Sequence, residues 1–224
     1  SLENGGFKMN NEVYTKEQLY SMGPQRTFNN DAREAAFLLG GIGTGNISVG
    51  ARGELRDWEI FNSPGKGNYL PYTFFAIRAE KEGEKPVAKV LESEIQPPYS
   101  KSHGFLSGEM AGLPRLRSSR MRGEYPFVWV DFEDSTLPVD VSMEAFTPFI
   151  PLNSNDSGIP GAIIRYKVKN TSDKPVKVSV VGSLANAVGH RGFALFGNLQ
   201  ANPQSLNEYR DEDGVRGLYY YTDL

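Results

Sequence analysis

Ala162-Ile163-Ile164-Arg165-Tyr166-Lys167-Val168-Lys169-Asn170-Thr171-Ser172-Asp173-Lys174-Pro175-Val176-Lys177-Val178-Ser179-Val180 is the stretch on which the fold turns. Ala162, Ile164, Tyr166 and Val168 alternate with Arg165, Lys167 and Lys169, and Val176, Val178 and Val180 resume after the polar, turn-forming run Asn170 to Pro175. Successive side chains of a strand point to opposite faces, so each run presents one apolar face to a core and one polar face to water. The pattern predicts a hairpin with one wet face.

The same pattern extends upstream. Runs 127–132 and 139–145 flank the polar 133–138, runs 73–80 and 86–91 flank the glycine-containing 81–85, and 46–49 and 55–61 flank Gly50-Ala51-Arg52-Gly53, each pair spaced like neighbouring strands. After position 45 no helical period of 3.6 is sustained, so an all-β antiparallel sandwich with few short helices is expected over alternating β/α architectures. Residues 1–45 read as a leading segment packed on the sandwich, with a short helix over 14–22, and 46–224 as the sandwich itself. The Pro-, Ser-, Gly- and Arg-rich 95–122 lacks a period and reads as a long binding or docking loop. A strand over 218–222 runs into the last residues with no closing turn, so the sandwich is expected to be cut at its carboxyl end.

Composition narrows the function classes. The 224 residues fit one β-sandwich domain, and thirteen Phe with eleven Tyr supply a real core. With 24 Lys and Arg against 27 Asp and Glu, the basic excess that phosphate-backbone binding demands is missing, so nucleic acid is not an expected partner. No apolar run approaches the roughly 18 residues of a transmembrane helix. Zero Cys excludes disulfides and thiol catalysis without fixing the compartment. His103 and His190 are the two histidines, so neither a metal motif nor a cofactor site is expected.

Gly40-Gly41-Ile42-Gly43-Thr44-Gly45 invites a phosphate-loop reading, but Asn46 breaks the G-x-G-x-x-G spacing and the strand-like Ile47-Ser48-Val49 follows where a helix is required. Positive φ and tight backbone packing account for the glycines without a ligand. A loop abutting a carbohydrate or a second domain is equally compatible. Asp131 and Glu133, two apart on a strand, would sit about 7 Å apart on one face, within the range of a glycosidase pair. Val128 and Val130 favour a solvated face instead. Asp57 and Glu59 repeat the spacing around Trp58 and could line a sugar site, with a half-exposed strand as the plainer reading. Trp58, Trp129 and Tyr219-Tyr220-Tyr221 together motivate an independent carbohydrate-binding module. The acceptor patterns at Asn46, Asn155 and Asn170 arise often by chance and decide nothing.

Several blocks in consistent order carry a resemblance: the glycine segment, then Arg52-Gly53-Glu54-Leu55, then Asp57-Trp58-Glu59-Ile60-Phe61-Asn62, then Leu137 to Ser142, Glu144 to Asn153, and Arg165 to Ser172. Across about positions 14 to 184 the chain resembles the amino-terminal domain of glycoside hydrolase family 116, which includes non-lysosomal glucosylceramidases and bile-acid β-glucosidases. The resemblance implies a supersandwich-like domain ahead of an (α/α)6 barrel that carries the Glu nucleophile and Asp acid/base of retaining hydrolysis. It implies a parent enzyme acting on β-glucosides or glucosylated lipids, within sphingolipid metabolism for the glucosylceramidase branch. No catalytic position of the family maps onto this sequence. Gly41, Gly43, Arg52, Asp57 and Trp58 are then the expected pocket-rim or domain-docking residues.

Overall fold

The computed structural model describes residues 15–21, 23–97, 99, 104–105, 107–192 and 199–223. Among them the chain runs α1 (Lys16–Tyr20), β1 (Arg26–Asn29), β2 (Ala36–Leu39), β3 (Asn46–Gly50), β4 (Leu55–Glu59), β5 (Phe74–Lys81) and β6 (Val87–Ser93). A 3-10 turn (Ser107–Glu109), β7 (Arg115–Leu116), β8 (Ser118–Glu124), β9 (Phe127–Glu133) and β10 (Val139–Phe146) follow. Then come α2 (Ser154–Ser157), β11 (Ile163–Asn170), β12 (Val176–Ser183), β13 (Ser205–Glu212) and β14 (Val215–Thr222). The protein is an all-β sandwich, as the alternation implies. No helix among the described residues is long and apolar enough to cross a membrane.

One layer is the five-stranded sheet β1-β8-β9-β10-β11; facing it are β12-β5-β6-β7 and the smaller β2-β3-β4, with β13-β14 as a separate hairpin. All pairs are antiparallel except the short β6/β7 contact. Val128, Val130 and Phe132 of β9 and Val139, Val141, Met143 and Ala145 of β10 point inward. They meet Ile77, Ala79 and Leu91 from the second sheet and Leu39 and Val49 from the third in one core. Each of the larger side chains contributes about 1.5–3 kcal/mol of burial, and each alanine less. Two buried serines are matched: the Ser93 and Ser119 hydroxyls meet at 2.7 Å, and Ser119 Oγ donates to the Ala51 carbonyl at 2.8 Å, tying the three sheets together.

The stretch around Asn170 keeps its alternation but not its expected pairing. β11 pairs with β10, Asn170 opposite Val139 and Ile163 opposite Phe146, whereas β12 pairs with β5, Val176 opposite Lys81. The anticipated hairpin is a crossover between layers. Ile164, Tyr166 and Val168 pack on the core from one sheet, and Val176 and Val178 from the other. Asn170 closes the corner, donating from Nδ2 to the Lys174 carbonyl at 2.8 Å and accepting from the Ser172 amide at 2.9 Å. Alternation reports a buried face; it does not say which strand lies alongside.

Segment 95–122 also differs from a plain loop. Its later part forms β7 and most of β8, which lies between β1 and β9 with Ser119 and Met121 buried. The small and charged residues around Met121 hid that strand. Within residues 1–45, β1 pairs with β8 and β2 with β3, and α1 is closed by a capping box in which the Gln18 amide donates to Thr15 Oγ1 at 3.2 Å. The ends of the helix expected over 14–22 lie outside the described residues.

Candidate functional site

The β3–β4 hairpin sorts the expected site residues to its two ends. β3 runs from Asn46 and β4 returns to Glu59, so the glycine loop and Ile60 share one end and the Ala51–Glu54 turn forms the other. Five residues at about 3.3 Å each separate the ends by about 16 Å. Gly41 and Gly43 therefore belong to a different locus from Arg52.

At the first end, Gly40 to Gly45 joins β2 to β3 with no helix after it, which removes the phosphate-loop geometry. Gly40, Gly41 and Gly45 serve packing. A Cβ on Gly41 would sit 2.5 Å from the Ile159 carbonyl oxygen, and one on Gly45 would sit 2.8 Å from the Ile60 Cα. Gly43 has φ +74° and open space around it. The Gly40 amide donates to Thr147 Oγ1 at 2.7 Å, and the Ile42 amide to the Ser157 carbonyl at 2.8 Å. Three sequence blocks, 40–45, 57–62 and 144–159, thus converge. They leave Ile42, Ile60, Phe149, Ile150, Leu152 and Ile159 exposed. Large aliphatic side chains from three converging loops form an apolar end to the sandwich, the kind of patch that marks an interaction surface.

The second end opens into a cavity of about 290 Å³ with a charged floor. Arg52 lies 3.6 Å from both Glu54 Oε1 and Glu92 Oε2, and Arg115 Nε donates to Glu92 Oε2 at 3.2 Å. Arg115 also donates to the carbonyls of Met110 at 3.0 Å and Glu109 at 3.2 Å. Arg56 pairs with Asp57 at 3.4 Å and with Glu34 at 3.3 Å. Burial pushes the Glu54 carboxyl above its ordinary value, Arg52 pulls it back, and Glu92 raises it again. Burial would lower the Arg52 pKa, but Glu54 and Glu92 outweigh it and hold the guanidinium charged. Burial and the Glu54 charge push the Tyr69 phenol up. The carboxylates are held by guanidinium and backbone donors, since the Arg52 amide also donates to Glu54 Oε2 at 3.0 Å. Such an arrangement suits binding better than proton transfer. Sequence alone does not mark Tyr69, Glu92 or Arg115 as site residues; Glu54 lies in the Arg52-Gly53-Glu54-Leu55 block, whereas Glu92 stands in no motif.

Asp57 and Glu59 do not flank a half-exposed strand face. Asp57 has φ +53° and is 3 % exposed, because β3 and β4 shift register between Asn46 and Ser48. Asp57 Oδ1 accepts from the Gly67 amide at 2.6 Å, and Glu59 Oε1 from the Gly65 amide at 3.1 Å, so both carboxylates fasten the loop after β4. Trp58 is 6 % exposed against Leu70 and Leu199, which removes it as a sugar-stacking surface. Trp129 donates from Nε1 to Glu144 at 3.1 Å and has the Arg122 guanidinium 5.5 Å from its ring centre. Tyr219 and Tyr221 stack at 5.5 Å, and Arg210 covers Tyr219 at 3.6 Å. Asp131 pairs with Arg122 at 3.4 Å and Glu133 accepts from Ser118 Oγ at 3.2 Å on the outer face of β9. Among the described residues no three or more His, Asp or Glu side chains gather as a metal-binding group; His103 lies outside them. The family model described as beta-glucosidase 2, glycosyl-hydrolase family 116 N-term, matches residues 36–222 of the 224.

Proposed function

From the premise that the chain belongs to the N-terminal domain family of glycosyl-hydrolase family 116, we propose that it is a non-catalytic support for a downstream (α/α)6 barrel, which carries out retaining hydrolysis of a β-glucoside. The observation that carries this reading is the apolar end of the sandwich. Ile42, Ile60, Ile150, Leu152 and Ile159 are exposed where the glycine loop packs closely on the 144–159 loop. Burying aliphatic side chains against a second domain returns about 25 cal/mol per Å² of apolar surface. Gly41 and Gly43 act here by holding this apolar end close to the barrel; Arg52, Asp57 and Trp58 act behind it by fixing the hairpin that carries it. A glucosylated lipid such as a glucosylceramide is the substrate class we assign to the parent.

An aryl β-glucoside assay of this chain beside its barrel-containing parent tests the division of labour. The parent turns over and the chain does not; substantial turnover by the chain alone defeats the proposal. Within the parent, Leu152→Asp combined with Ile42→Asp is expected to lower the thermal midpoint and the activity together, while the same two substitutions in this chain change its own stability by no more than about 1 kcal/mol.

A further inference from the structure

We propose that the cavity over Arg52, Glu92 and Arg115 binds a neutral polyhydroxylated ring of about the size of one pyranose unit. The volume of about 290 Å³ stands at the lower end of small-molecule sites, which sets the ligand's size. The polar inventory sets its chemistry. Guanidinium groups only donate hydrogen bonds and carboxylates only accept them. Here they alternate around one space, with Arg52 between Glu54 and Glu92, and Arg115 beyond Glu92. An anion placed among them would meet Glu54 and Glu92, and a cation would meet Arg52, Arg56 and Arg115, so neither gains net attraction. A hydroxyl both donates and accepts, and a ring carrying several of them can satisfy both kinds of partner at once. The Arg52 side chain spends one hydrogen bond on the Ser93 carbonyl at 3.1 Å, but its 3.6 Å separations from Glu54 and Glu92 exceed hydrogen-bond length, so it does not use up the acceptor capacity of either carboxylate.

The mouth adds the apolar half of such a site. Tyr99 and Phe105 line it edge to face at 5.6 Å, 57 % and 43 % exposed, and offer ring surface to the C–H face of a saturated ring. Burial explains the charged floor without a ligand, but it does not explain two exposed aromatic rings at the opening above it. The inference stands apart from barrel docking: a parent indifferent to substitutions at Ile42 and Leu152 leaves the cavity's affinity as it is.

Titration of this chain with methyl β-D-glucopyranoside, inorganic phosphate and tetramethylammonium, followed by amide chemical shifts, is the test. The expected result is one saturable site for the glucoside, with shifts at Tyr69, Gln96 and Arg115, and no saturation by either ion. Tyr99→Ala, at an exposed position, is expected to keep the thermal midpoint and weaken the glucoside about tenfold; Phe105→Ala is a second, independent reading of the mouth. Failure to saturate at the solubility limit overturns the inference. So does tighter binding of phosphate, a shift pattern confined to the outer face around Trp129, or unchanged affinity in both variants.

Discussion

β10 and β4 are both antiparallel strands of one sandwich, yet they obey different rules. β10 alternates cleanly: Val139, Val141, Met143 and Ala145 are buried, and the residues between them face outward. β4 buries Arg56, Asp57 and Trp58 in succession. A strand between an apolar core and water needs only the period of two. β4 has the core on one side and a charged cavity on the other, so both of its faces are enclosed and each polar group must find a partner. β10 is specified by pattern; β4 is specified by partners.

The largest effect comes from breaking the pattern. Val130→Asp on β9, paired with Met143 of β10, places a carboxylate where nothing can hold it. The expected cost is about 5 kcal/mol or more, comparable with the whole stability of a domain, so the variant should show no cooperative unfolding transition. Breaking the partners comes next. Arg115→Met leaves Glu92 short of its closest guanidinium and strands the Met110 and Glu109 carbonyls. Loss of one member of a buried pair costs about 3–5 kcal/mol, and adding Glu92→Leu should recover most of it, as read from urea midpoints. Full stability in the single variant would mean that the cluster is solvated and contributes no constraint.

Gly53→Ala probes the turn between the two regimes. Gly53 has φ +85°, and a Cβ there would lie 2.6 Å from the Phe132 ring. Strain and overpacking together should cost about 2 kcal/mol. The cluster and the turn between β9 and β10 also answer pH with opposite sign. The folded Glu54 carboxyl sits above its ordinary 4.5, so between 4.5 and that raised value the native state keeps a proton that the unfolded chain gives up. Stability falls as pH rises through this window, and Glu54→Gln should flatten that slope. For Asp134, burial alone would raise the pKa, but Lys89 and Thr136 outweigh it and hold the carboxyl below its ordinary 3.8. Its contribution is present above 3.8 and lost as pH falls through the lowered value. Acid titration of Asp134→Asn and Glu54→Gln variants by denaturant midpoint separates the two.

The contrast also explains what the sequence disclosed. Alternation in 127–132, 139–145 and 162–180 made the sandwich readable, because one buried face against water leaves a period that needs no knowledge of neighbours. Pairing was less readable: the Asn170 turn looks the same whether it folds a strand onto its neighbour or carries it into the opposite sheet. β8 is hard to read because Ser119 and Gly123 dilute its apolar face. The cavity was least legible, since Arg52, Glu92 and Arg115 are far apart in sequence and each alone looks like a surface charge. Two features hint at it: the Arg52-Gly53-Glu54-Leu55 block, through family likeness, and the unpatterned 95–122, whose Gln96, Tyr99, Phe105 and Arg115 line the cavity.

The smallest expected effect is the most discriminating about chemistry. Asp131 is next to Val130 in sequence, but the pleat turns it outward, where it meets Arg122 at 3.4 Å with both side chains partly solvated. An exposed pair of this kind contributes about 0–1 kcal/mol, so Asp131→Asn should shift stability by no more than about 0.5 kcal/mol, against the collapse expected one residue earlier. The same variant bears on catalysis. If Asp131 and Glu133 worked as a glycosidase pair, Asp131→Asn in the barrel-containing parent would abolish hydrolysis of an aryl β-glucoside; unchanged turnover is expected, because Asp131 and Glu133 already answer to Arg122 and Ser118 on a plain sheet face.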